Sequence, residues 1–559
     1  MFNKNSYQQG EDGVWARPQS AGFAYSDGDE NENRLLKILK SAKDVRVNSK
    51  ELHQHQNDWP SIYHLSSLRG NLLGPLMDTM LPGKSILELG AGCGAITRFL
   101  GETGADVVAV EGSRRRASII SERCRDLPNV SVVSDLIQAF DSGERFDIVT
   151  LIGVLEYASV FFEGDDPVNQ MLKLASSFLK PSGRFVVAIE NKIGLKYFAG
   201  APEDHTGLPM FGINNSYSNK TAVTFGRLEL LNRIQHCGLK FVKLFIPLPD
   251  YKLPVSILCP PAFSPQISDL GWDPSPLLIG SVAFDAQTTF IPSFSTEMAW
   301  QSISENGLAQ ELANSFLFVA SPQSFELGDD ILATHYGAWR PAMFARETQF
   351  LASENKIVVR RRPSAKKAAQ NDTPWKYSEY VQGTFWFAEM VRAMNIPGWT
   401  INSLAEWAKT WIAELQRHIL QDCGNDMPQF QLFSHFLPGN YIDATPFNLI
   451  IDKNGMGHFF DLKWDFGSAI PIQLVILRGL YIAMTRITFC AKPHQDVPIN
   501  ILNISADVMR TLGYPIEDEE TKLLISVITK FHNQVSGIIG TQNNEATASR
   551  IYNSQLFLR

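Results

Sequence analysis

The fold is decided by the stretch Ser85-Ile-Leu-Glu-Leu-Gly-Ala-Gly-Cys-Gly-Ala-Ile-Thr97, in which an apolar run leads into Gly90, Gly92 and Gly94. A helical pattern begins directly after the third glycine. A strand, a tight turn and the start of a helix bring bare backbone N–H groups against a bound nucleotide. A second apolar run ends in Glu111, where folds of this type place an acid for ribose hydroxyls. The stretch therefore predicts a site for a nucleoside cofactor.

Composition limits the class of protein. The chain has 559 residues, 44% of them hydrophobic, which is enough for two or three domains with proper cores. Its formal net charge of −8 argues against a nucleic-acid partner, because no basic excess is available to neutralise phosphates. The six cysteines show no metal-ligand spacing, which favours buried thiols in a reducing compartment. The N-terminus is polar and no apolar run reaches about 18 residues, so we expect a cytoplasmic protein without a transmembrane segment.

Short apolar runs alternate with helical patterns between residues 86 and 258. Strands are predicted at Ile86–Leu89, Val107–Val110, Val130–Val133, Ile148–Ile152 and Arg184–Ile189, and helices at Ala95–Glu102, Arg114–Arg125 and Pro167–Leu179. This alternation predicts an α/β fold with a parallel sheet covered by helices on both faces. After a helix at Arg227–Cys237, strands at Lys240–Phe245 and Ser256–Leu258 predict an antiparallel edge.

After residue 258 the pattern of residue types changes twice. Residues 259–300 are rich in Pro, Ser and Phe, which predicts a surface linker. Strand patterns at Leu312–Ala320, Ile331–His335 and Lys356–Arg361 follow, and a long helical pattern begins at Ser403. We therefore expect an N-terminal extension (1–58), an α/β domain (59–258), a linker (259–309), a small β-rich lobe (310–400) and a helical lobe with C-terminal helices (401–559).

The glycine turn satisfies two cofactor templates. As G-x-G-x-x-A it fits a dinucleotide site, and with Glu88 as E-x-G-x-G-x-G it fits S-adenosylmethionine (SAM). A carboxylate at the end of the strand would repel a pyrophosphate, whereas SAM carries a cationic sulfonium and a cationic ammonium. The charge of Glu88 therefore favours SAM. A plain tight turn is the structural alternative for a lone glycine motif.

With its later landmarks, the chain resembles the class I SAM-dependent methyltransferases, whose fold is a Rossmann-like α/β sheet. The match runs through residues 60–258 and includes Pro181–Arg184, the turn before the fifth strand. The resemblance implies that the glycine turn holds SAM and that Glu111 binds its ribose. It further implies that Asp135 and Leu136 lie beside adenine, and that the segment Ile152–Tyr157, with Gly153, lines the cofactor and substrate.

The acceptor side is predicted in the stretch Glu190–Gly207, which leaves the carboxyl end of a strand, where ligands bind in open α/β sheets. We predict His205 as the catalytic base for a hydroxyl acceptor, oriented by Asp204 or Glu203. A solvated turn is the alternative. A second polar string, Pro249–Pro254, is predicted at the rim of the acceptor pocket, with an ordinary proline-bounded turn as its alternative.

A second constellation lies downstream. The string Tyr441-Ile-Asp-Ala-Thr-Pro-Phe-Asn448, followed by Asp461, resembles the catalytic and metal loops of protein kinase-like phosphotransferases of the aminoglycoside and choline kinase type. The resemblance implies an α+β bilobal domain in which Asp443 is the base and Asn448 and Asp461 hold Mg²⁺ on ATP. Arg360 stands where a phosphate-binding Lys is expected and no glycine-rich loop is visible, so an inactive scaffold is the alternative.

Together the two regions resemble bacterial bifunctional enzymes that modify the ends of surface polysaccharides. We therefore expect a SAM-dependent methyltransferase acting on a sugar, glycan or similar small polar acceptor. The kinase-like domain would phosphorylate or only hold the acceptor, with ATP and Mg²⁺ as further cofactors and glycan-synthesis enzymes as partners. Two other classes stay open: a non-catalytic assembly protein that keeps both folds, and an NAD-linked oxidoreductase that uses the same glycine turn.

Overall fold

The computed structural model describes most of the chain, in two compact units. The described residues are 2–18, 28–77, 79–218, 221–287, 290–328, 330–337, 340, 344–363, 374–423, 436–462, 464–537 and 541–558. The first unit contains residues 1–270, 284–288 and 307–378, and the second contains residues 271–283, 289–306 and 379–559.

One large sheet runs through the first unit. Its strands are β1 (Gln8–Gln9), β2 (Trp15–Ala16), β3 (Ser85–Leu89), β4 (Asp106–Glu111), β5 (Val130–Ser134), β6 (Phe146–Ile152), β7 (Leu179–Glu190), β8 (Phe241–Leu248), β9 (Ser256–Leu258), β10 (Ser315–Ser321), β11 (Ile331–Tyr336), β12 (Arg346–Ser353), β13 (Lys356–Pro363) and β14 (Lys376–Glu379). Their order across the sheet is β1-β2-β5-β4-β3-β6-β7-β10-β8-β9-β11-β12-β13-β14.

The five strands at the heart of this sheet, β5-β4-β3-β6-β7, pair in parallel. Their apolar side chains are buried on both faces, as expected of strands that helices cover from both sides. The predicted Rossmann-like parallel sheet is therefore confirmed. Strand β3 is the middle strand of these five. The turn that follows its carboxyl end lies at the edge of the sheet where ligands bind in open α/β folds.

Helices precede, connect and follow these strands. They are α1 (Asp29–Ser41), α2 (Lys50–His53), α3 (Trp59–Leu65), α4 (Leu68–Asn71), α5 (Gly74–Met77), α6 (Ala95–Glu102), α7 (Arg114–Arg123), α8 (Ala158–Phe161), α9 (Pro167–Ser177), α10 (Leu195–Phe198), α11 (Arg227–His236), α12 (Pro265–Asp269), α13 (Ser275–Ser281), α14 (Thr296–Glu305) and α15 (Ala309–Leu312). Of these, α13 and α14 belong to the second unit.

The N-terminal extension is part of the first unit, although the sequence predicted a separate segment over residues 1–58. Strand β2 pairs in parallel with β5, so the extension adds an edge to the sheet. Helix α1 buries Leu35 and Leu39 in a cluster with Ile119 of α7. The extension therefore packs apolar side chains into the first unit, although most of its residues are polar.

Strand β10 departs from the predicted domain boundary. The sequence placed this strand in a separate β-rich lobe over residues 310–400, but it lies antiparallel between β7 and β8 in the first sheet. Phe318 is opposite Val187 on one side and Leu244 on the other. Every residue of β10 is buried, which explains its uninterrupted apolar run. Strands β11 to β13 then continue the same sheet as an antiparallel meander through β9.

The predicted linker at 259–309 is also different in the structure, because it contains α12, α13 and α14 and ends at the first residue of α15. The prolines that indicated irregular chain lie in the first turns of α12 and α13, where a missing backbone N–H costs nothing. The number of prolines therefore does not distinguish a linker from a segment in which several helices begin.

The second unit is mainly helical. Its remaining helices are α16 (Trp386–Met394), α17 (Ile401–Cys423), α18 (Ile472–Thr485), α19 (Ile501–Thr511), α20 (Asp518–Ser536) and α21 (Thr541–Tyr552). Strands β15 (Gly383–Phe385), β17 (Leu449–Asp452) and β18 (Gly457–Phe459) form a small antiparallel sheet, and β16 (Phe436–Leu437) pairs with β19 (Ile470–Pro471). Among the described helices of both units, none has the length and apolar character to cross a bilayer.

The position of β10 makes a stability prediction. Phe318 lies on β10, the strand between β7 and β8, and its ring is fully buried. Phe318→Ala removes this ring, so we expect the free energy of unfolding to fall by about 3–5 kcal/mol. Urea denaturation of the full chain measures this loss. Tyr377→Ala in β14, where the ring is 65% exposed, is the control and should change stability by less than about 0.5 kcal/mol. A Phe318→Ala variant as stable as the control would contradict the central position of β10.

Candidate active site

The turn after β3 has the backbone shape that its glycines predict. Gly90, Gly92 and Gly94 have φ values of +72°, +58° and +80°, in the left-handed region that favours glycine. A Cβ on Gly90 would lie 2.6 Å from Cγ2 of Val154, and Gly94 is the N-cap of α6. The turn therefore has no room for a side chain at Gly90. Helix α6 begins directly after Gly94.

Glu111 fixes this turn. One of its carboxylate oxygens accepts the backbone N–H of Gly92 at 2.8 Å, and the other accepts the N–H of Ser113 at 2.9 Å. The side chain is buried at the end of β4, and burial raises its pKa. The acid that the sequence assigned to ribose binding thus lies against the glycine turn and lines the same cavity.

Glu88 lies on β3 just before the turn, and its carboxylate accepts the hydroxyl of Thr97 at 2.6 Å. Burial raises the pKa of Glu88 to about 8. The side chain therefore holds a proton at neutral pH, and a cation placed beside it would favour the charged form. The sequence-based preference for SAM requires an ionised carboxylate at Glu88, whereas burial keeps this side chain protonated without a ligand, so its pairing with SAM stays a prediction.

Asp135 and Leu136 differ in what they contact. The carboxylate of Asp135 accepts the Tyr7 hydroxyl and the Arg17 Nε, both at 2.8 Å. It ties the N-terminal extension to β5 and does not line the cavity. Leu136 does line the cavity and is 36% exposed. Leu136 thus lines the cavity whereas Asp135 binds the N-terminal extension, and the placement of adenine beside them stays a prediction.

A single cavity of about 430 Å³ joins the glycine turn to the loop after β7. Gly90, Gly92 and Glu111 line one end, and Gly153, Glu156, Glu190, Asp204, His205 and Lys252 line the other. Gly153 has a φ of +68°, and a Cβ there would lie 2.9 Å from the Tyr251 hydroxyl oxygen. A donor and an acceptor can therefore share this one space.

Glu190 is the most deeply buried acid at the second end, with an exposed fraction of 0%. Its Oε1 lies 2.5 Å from Lys252 Nζ and accepts the Tyr251 hydroxyl at 3.2 Å. Burial alone would raise the pKa of Glu190, but Lys252 and His205 hold it well below its ordinary value. Tyr251 and Lys252 come from the string Pro249–Pro254, which the sequence placed at the rim of this pocket.

Asp204 belongs to a network of lysines. Its carboxylate lies 3.1 Å from Lys196 Nζ and 3.2 Å from Lys252 Nζ, and it also accepts the Tyr197 hydroxyl. Burial opposes ionisation, but the two ammonium groups lower the pKa of Asp204 to about 2. Asp204 is therefore a permanent anion that balances the lysines.

His205 has other partners than those predicted. Its Nδ1 lies 3.2 Å from the Tyr157 hydroxyl, and its Nε2 lies 3.8 Å from Oε2 of Glu190. The sequence assigned orientation of the ring to Asp204 or Glu203. Asp204 instead bonds the lysines, and Glu203 accepts the backbone N–H groups of His205 and Thr206 at 2.9 and 2.8 Å. These contacts correct the predicted pairing.

The charge of His205 also bears on its predicted role as a base. Burial alone would lower its pKa, but Glu190 raises the pKa of His205 to about 9. Burial and the neighbouring Glu190 likewise raise the pKa of Glu156 to about 8. At neutral pH both groups hold a proton, so the imidazole does not accept one in this state. Sequence reasoning placed Glu156 and Lys196 in segments that line the site, but it did not assign them a role in this charge cluster.

The second predicted site lies in the second unit. Asp443 is buried, and its Oδ1 accepts Nη2 of Arg478 at 3.1 Å. The side-chain amide of Asn448 donates to the Asp443 carbonyl at 2.9 Å, and Asp461, with a φ of +63°, follows the hairpin that β17 and β18 form. Asp443 is thus paired with a buried cation, which does not fit a free proton acceptor.

Arg360, the predicted phosphate ligand, lies on β13 of the first unit. Its Nε and Nη2 donate to Oε1 of Gln349 at 2.9 and 2.6 Å. Its guanidinium also lies 4.4 Å from the ring centroid of Trp375. These contacts use Nε and Nη2 of the guanidinium, and the phosphate role of Arg360 stays a prediction.

Comparisons with known proteins agree with the first site. Residues 87–185 match the family model described as a methyltransferase domain. The chain is 40% identical over 72 residues to the ribosomal RNA small subunit methyltransferase A of Streptococcus equi subsp. zooepidemicus, a match that covers 12% of this chain and 25% of that protein. The chain thus spans about a quarter of the length of such curated relatives.

Two solved structures show similarity at low identity. The CcbJ methyltransferase from Streptomyces caelestis is 16% identical with a TM-score of 0.29, and the match covers 50% of this chain and all of that one. Phosphoethanolamine N-methyltransferase 2 of Haemonchus contortus, solved with SAM, is 16% identical with a TM-score of 0.28, and covers 52% of this chain and 60% of that one. With the family match and the glycine turn on its parallel sheet, the chain carries a class I SAM-dependent methyltransferase domain.

The raised pKa of Glu88 makes stability depend on pH. The folded chain keeps a proton on Glu88 that the unfolded chain releases near pH 4.5, so this group's contribution falls as pH rises toward about 8. Glu88→Gln removes the titration. Between pH 4.5 and about 8, we therefore expect the free energy of unfolding of Glu88→Gln to rise relative to that of the native chain. The expected rise is about 1.4 kcal/mol per pH unit.

Urea denaturation at pH 5, 6, 7 and 8 measures this difference. Asp106→Asn, which removes an exposed carboxylate from the start of β4, reports the effect of net charge alone. If Glu88→Gln keeps the native slope of unfolding free energy against pH, the proton is not on Glu88.

Proposed function

We propose that this protein transfers a methyl group from SAM to a hydroxyl of a small polar acceptor such as a sugar or glycan. The observation that carries the proposal is the single cavity, which places the glycine turn and Glu111 at one end and a polar cluster at the other. When bound, SAM supplies a methyl group that is already activated. The protein then contributes mainly by holding the donor and the acceptor in line.

The donor end offers the groups that SAM needs. The backbone of Gly90–Gly94 can approach the ligand closely, and Glu111 can accept the ribose hydroxyls while it keeps its bonds to the turn. Glu88 can pair with the cationic part of the donor, which would favour its ionised form. These roles follow from position, burial and charge together.

The acceptor end favours a polyhydroxylated molecule. Glu156, Glu190 and Asp204 provide acceptors for hydroxyl groups, and Lys252 provides a donor. The rings of Trp59 and Tyr63, which also line the cavity, stack with their centroids 5.5 Å apart and offer an apolar surface. Polar groups beside aromatic rings suit a sugar, whose edges are polar and whose faces are apolar.

The reaction balances as a simple transfer. The acceptor oxygen forms a bond to the methyl carbon as the carbon–sulfur bond breaks, and sulfur keeps the electron pair in S-adenosylhomocysteine. The hydroxyl proton leaves to water or to a side chain of the cluster. An RNA acceptor, as named for the curated relatives, is disfavoured here because the net charge is −8 and only a quarter of those proteins is matched.

Removal of Glu111 tests the donor end. Glu111→Ala takes away the ribose acceptor and the partner of the Gly92 amide, so we expect SAM to bind at least about tenfold more weakly, or about 1.4 kcal/mol. Isothermal titration calorimetry measures the Kd. Asp106→Ala, at the exposed start of the same strand, should keep the native affinity. Equal affinities in both variants would place SAM elsewhere.

The acceptor is tested with the native chain and SAM that carries a labelled methyl group. We expect mass spectrometry to find the label on a hydroxyl of a nucleotide sugar or glycan. Label on RNA, or on nitrogen alone, would contradict the acceptor class. Binding of SAM without any transfer from a broad glycan pool would favour the non-catalytic assembly protein.

A phosphotransferase in the second unit is a second candidate function, and the bond from the Asn448 amide to the Asp443 carbonyl favours it. This bond closes the loop before the hairpin that leads to Asp461. By the resemblance, Asn448 and Asp461 would hold Mg²⁺, and glycan-synthesis enzymes would be partners. The ion pair between Asp443 and Arg478 argues against a base at Asp443, so we assign no step to it.

This second candidate has a direct test. If the unit is a phosphotransferase, the native chain should label a glycan acceptor from γ-labelled ATP with Mg²⁺, and Asp461→Asn should abolish labelling while SAM affinity stays native. If the native chain neither binds ATP nor transfers phosphate, the second unit is a scaffold and not a phosphotransferase.

A further inference from the structure

We propose that Glu156, Glu190 and His205 hold a divalent metal cation at the acceptor end of the cavity. One ligand atom from each residue lies within 4.8 Å of the others, and together they form the one group of at least three such side chains found among the described residues. The inference rests on the proposed methyl transfer, because the cation would bind the hydroxyl of the acceptor. The sequence did not indicate it, since Glu156 lies more than thirty residues before the stretch Glu190–Gly207 that contains the other two ligands.

The spacing of the three ligand atoms suits one ion. Nε2 of His205 and Oε2 of Glu190 are 3.8 Å apart. Atoms bound at about 2.1 Å to a small divalent cation lie up to about 4.2 Å from one another. The observed separation therefore lies within this limit, and only small movements of the carboxyl groups would complete the set.

The ligand atoms lack other partners. Among the described residues, Oε2 of Glu156, Oε2 of Glu190 and Nε2 of His205 are buried without a hydrogen-bond partner. Glu156 is 2% exposed and Glu190 is 0% exposed, so solvent does not satisfy these oxygens from outside. Nε2 of His205 and Oε2 of Glu190 form only a 3.8 Å ion pair, and Oε2 of Glu156 accepts no hydrogen bond from the described part of the chain. Buried polar atoms are normally hydrogen-bonded, so three that converge in this way point to a missing ligand.

The remaining atoms of two of these side chains are held in place. The Tyr157 hydroxyl lies 3.2 Å from Nδ1 of His205, so an Nδ1–H can stay bonded to it while the cation displaces the second imidazole proton from Nε2. Oε1 of Glu190 is held by Lys252 and Tyr251, which leaves Oε2 available. Such outer contacts, which orient the ligand and fix the tautomer, are typical of metal sites.

The donor set indicates the class of metal. One imidazole and two carboxylates suit Mn²⁺, Fe²⁺ or Zn²⁺, whereas Ca²⁺ takes six to eight oxygens. The charge of Lys252 beside the site is balanced by Asp204, 3.2 Å away. Three protein ligands leave positions open for the acceptor. A hydroxyl bound there loses its proton to water more easily, and its oxygen then takes the methyl carbon as the carbon–sulfur bond breaks.

Manganese provides the test. The full chain is treated with a chelator and dialysed, and Mn²⁺ is then titrated while electron paramagnetic resonance follows the free ion. We expect one Mn²⁺ to bind per chain, and Glu156→Gln and His205→Ala each to weaken the affinity more than about tenfold. Glu163→Gln, at an exposed carboxylate between α8 and α9, should bind Mn²⁺ like the native chain.

Two further readouts make the outcome decisive. At saturating Mn²⁺, pulsed resonance should show nitrogen coupling from a bound imidazole in the native chain and in Glu156→Gln, and none in His205→Ala. SAM affinity, measured without metal, should be native in each variant and shows that each one folds. Normal SAM binding without saturable Mn²⁺ binding, or with affinity unchanged by both substitutions, would overturn the metal site alone. Loss of SAM binding by the native chain would instead overturn the proposed function.

Discussion

The carboxylate of Glu111 holds the turn after β3 against the end of β4, since its two oxygens accept the N–H groups of Gly92 and Ser113. The turn has no side chains of its own with which to satisfy these amides, and a buried amide without a partner is costly. One buried acid therefore sets the shape of the donor end. The cavity extends from this turn to the loops after β6 and β7, so the position of the acceptor end depends on the same parallel sheet.

The parallel sheet could be predicted from the sequence because each of its strands is an almost continuous apolar run. Strand β3 was predicted at Ile86–Leu89 and occupies Ser85–Leu89, and helix α6 matches its prediction at both ends. The partners of β10 could not be predicted, although its apolar run indicated a strand. A fully buried run shows that a strand is covered on both faces, but it does not show which strands lie beside it. Pairing with β7 joins residues more than a hundred positions apart.

The glycine turn could be predicted for a similar reason, since the positive φ values of its three glycines follow from local backbone geometry. The acceptor end could be predicted only in part. The loop that contains His205 was identified, but the partners of the ring were not, because Tyr157 comes from another segment and Glu190 lies at the far end of the same stretch. Charges that meet through loops depend on tertiary structure. The same holds for Asp135, whose carboxylate binds Tyr7 and Arg17 of the N-terminal extension.

The central claim is that the turn after β3 binds SAM and not a dinucleotide. Thermal unfolding of the native chain, followed separately with SAM, NAD and no ligand, tests it most directly. A ligand present at 100 times its Kd stabilises the folded state by about 2.7 kcal/mol. The account predicts that SAM raises the unfolding temperature in proportion to the logarithm of its concentration, while NAD has no effect. Stabilisation by NAD, or by neither ligand, would contradict it.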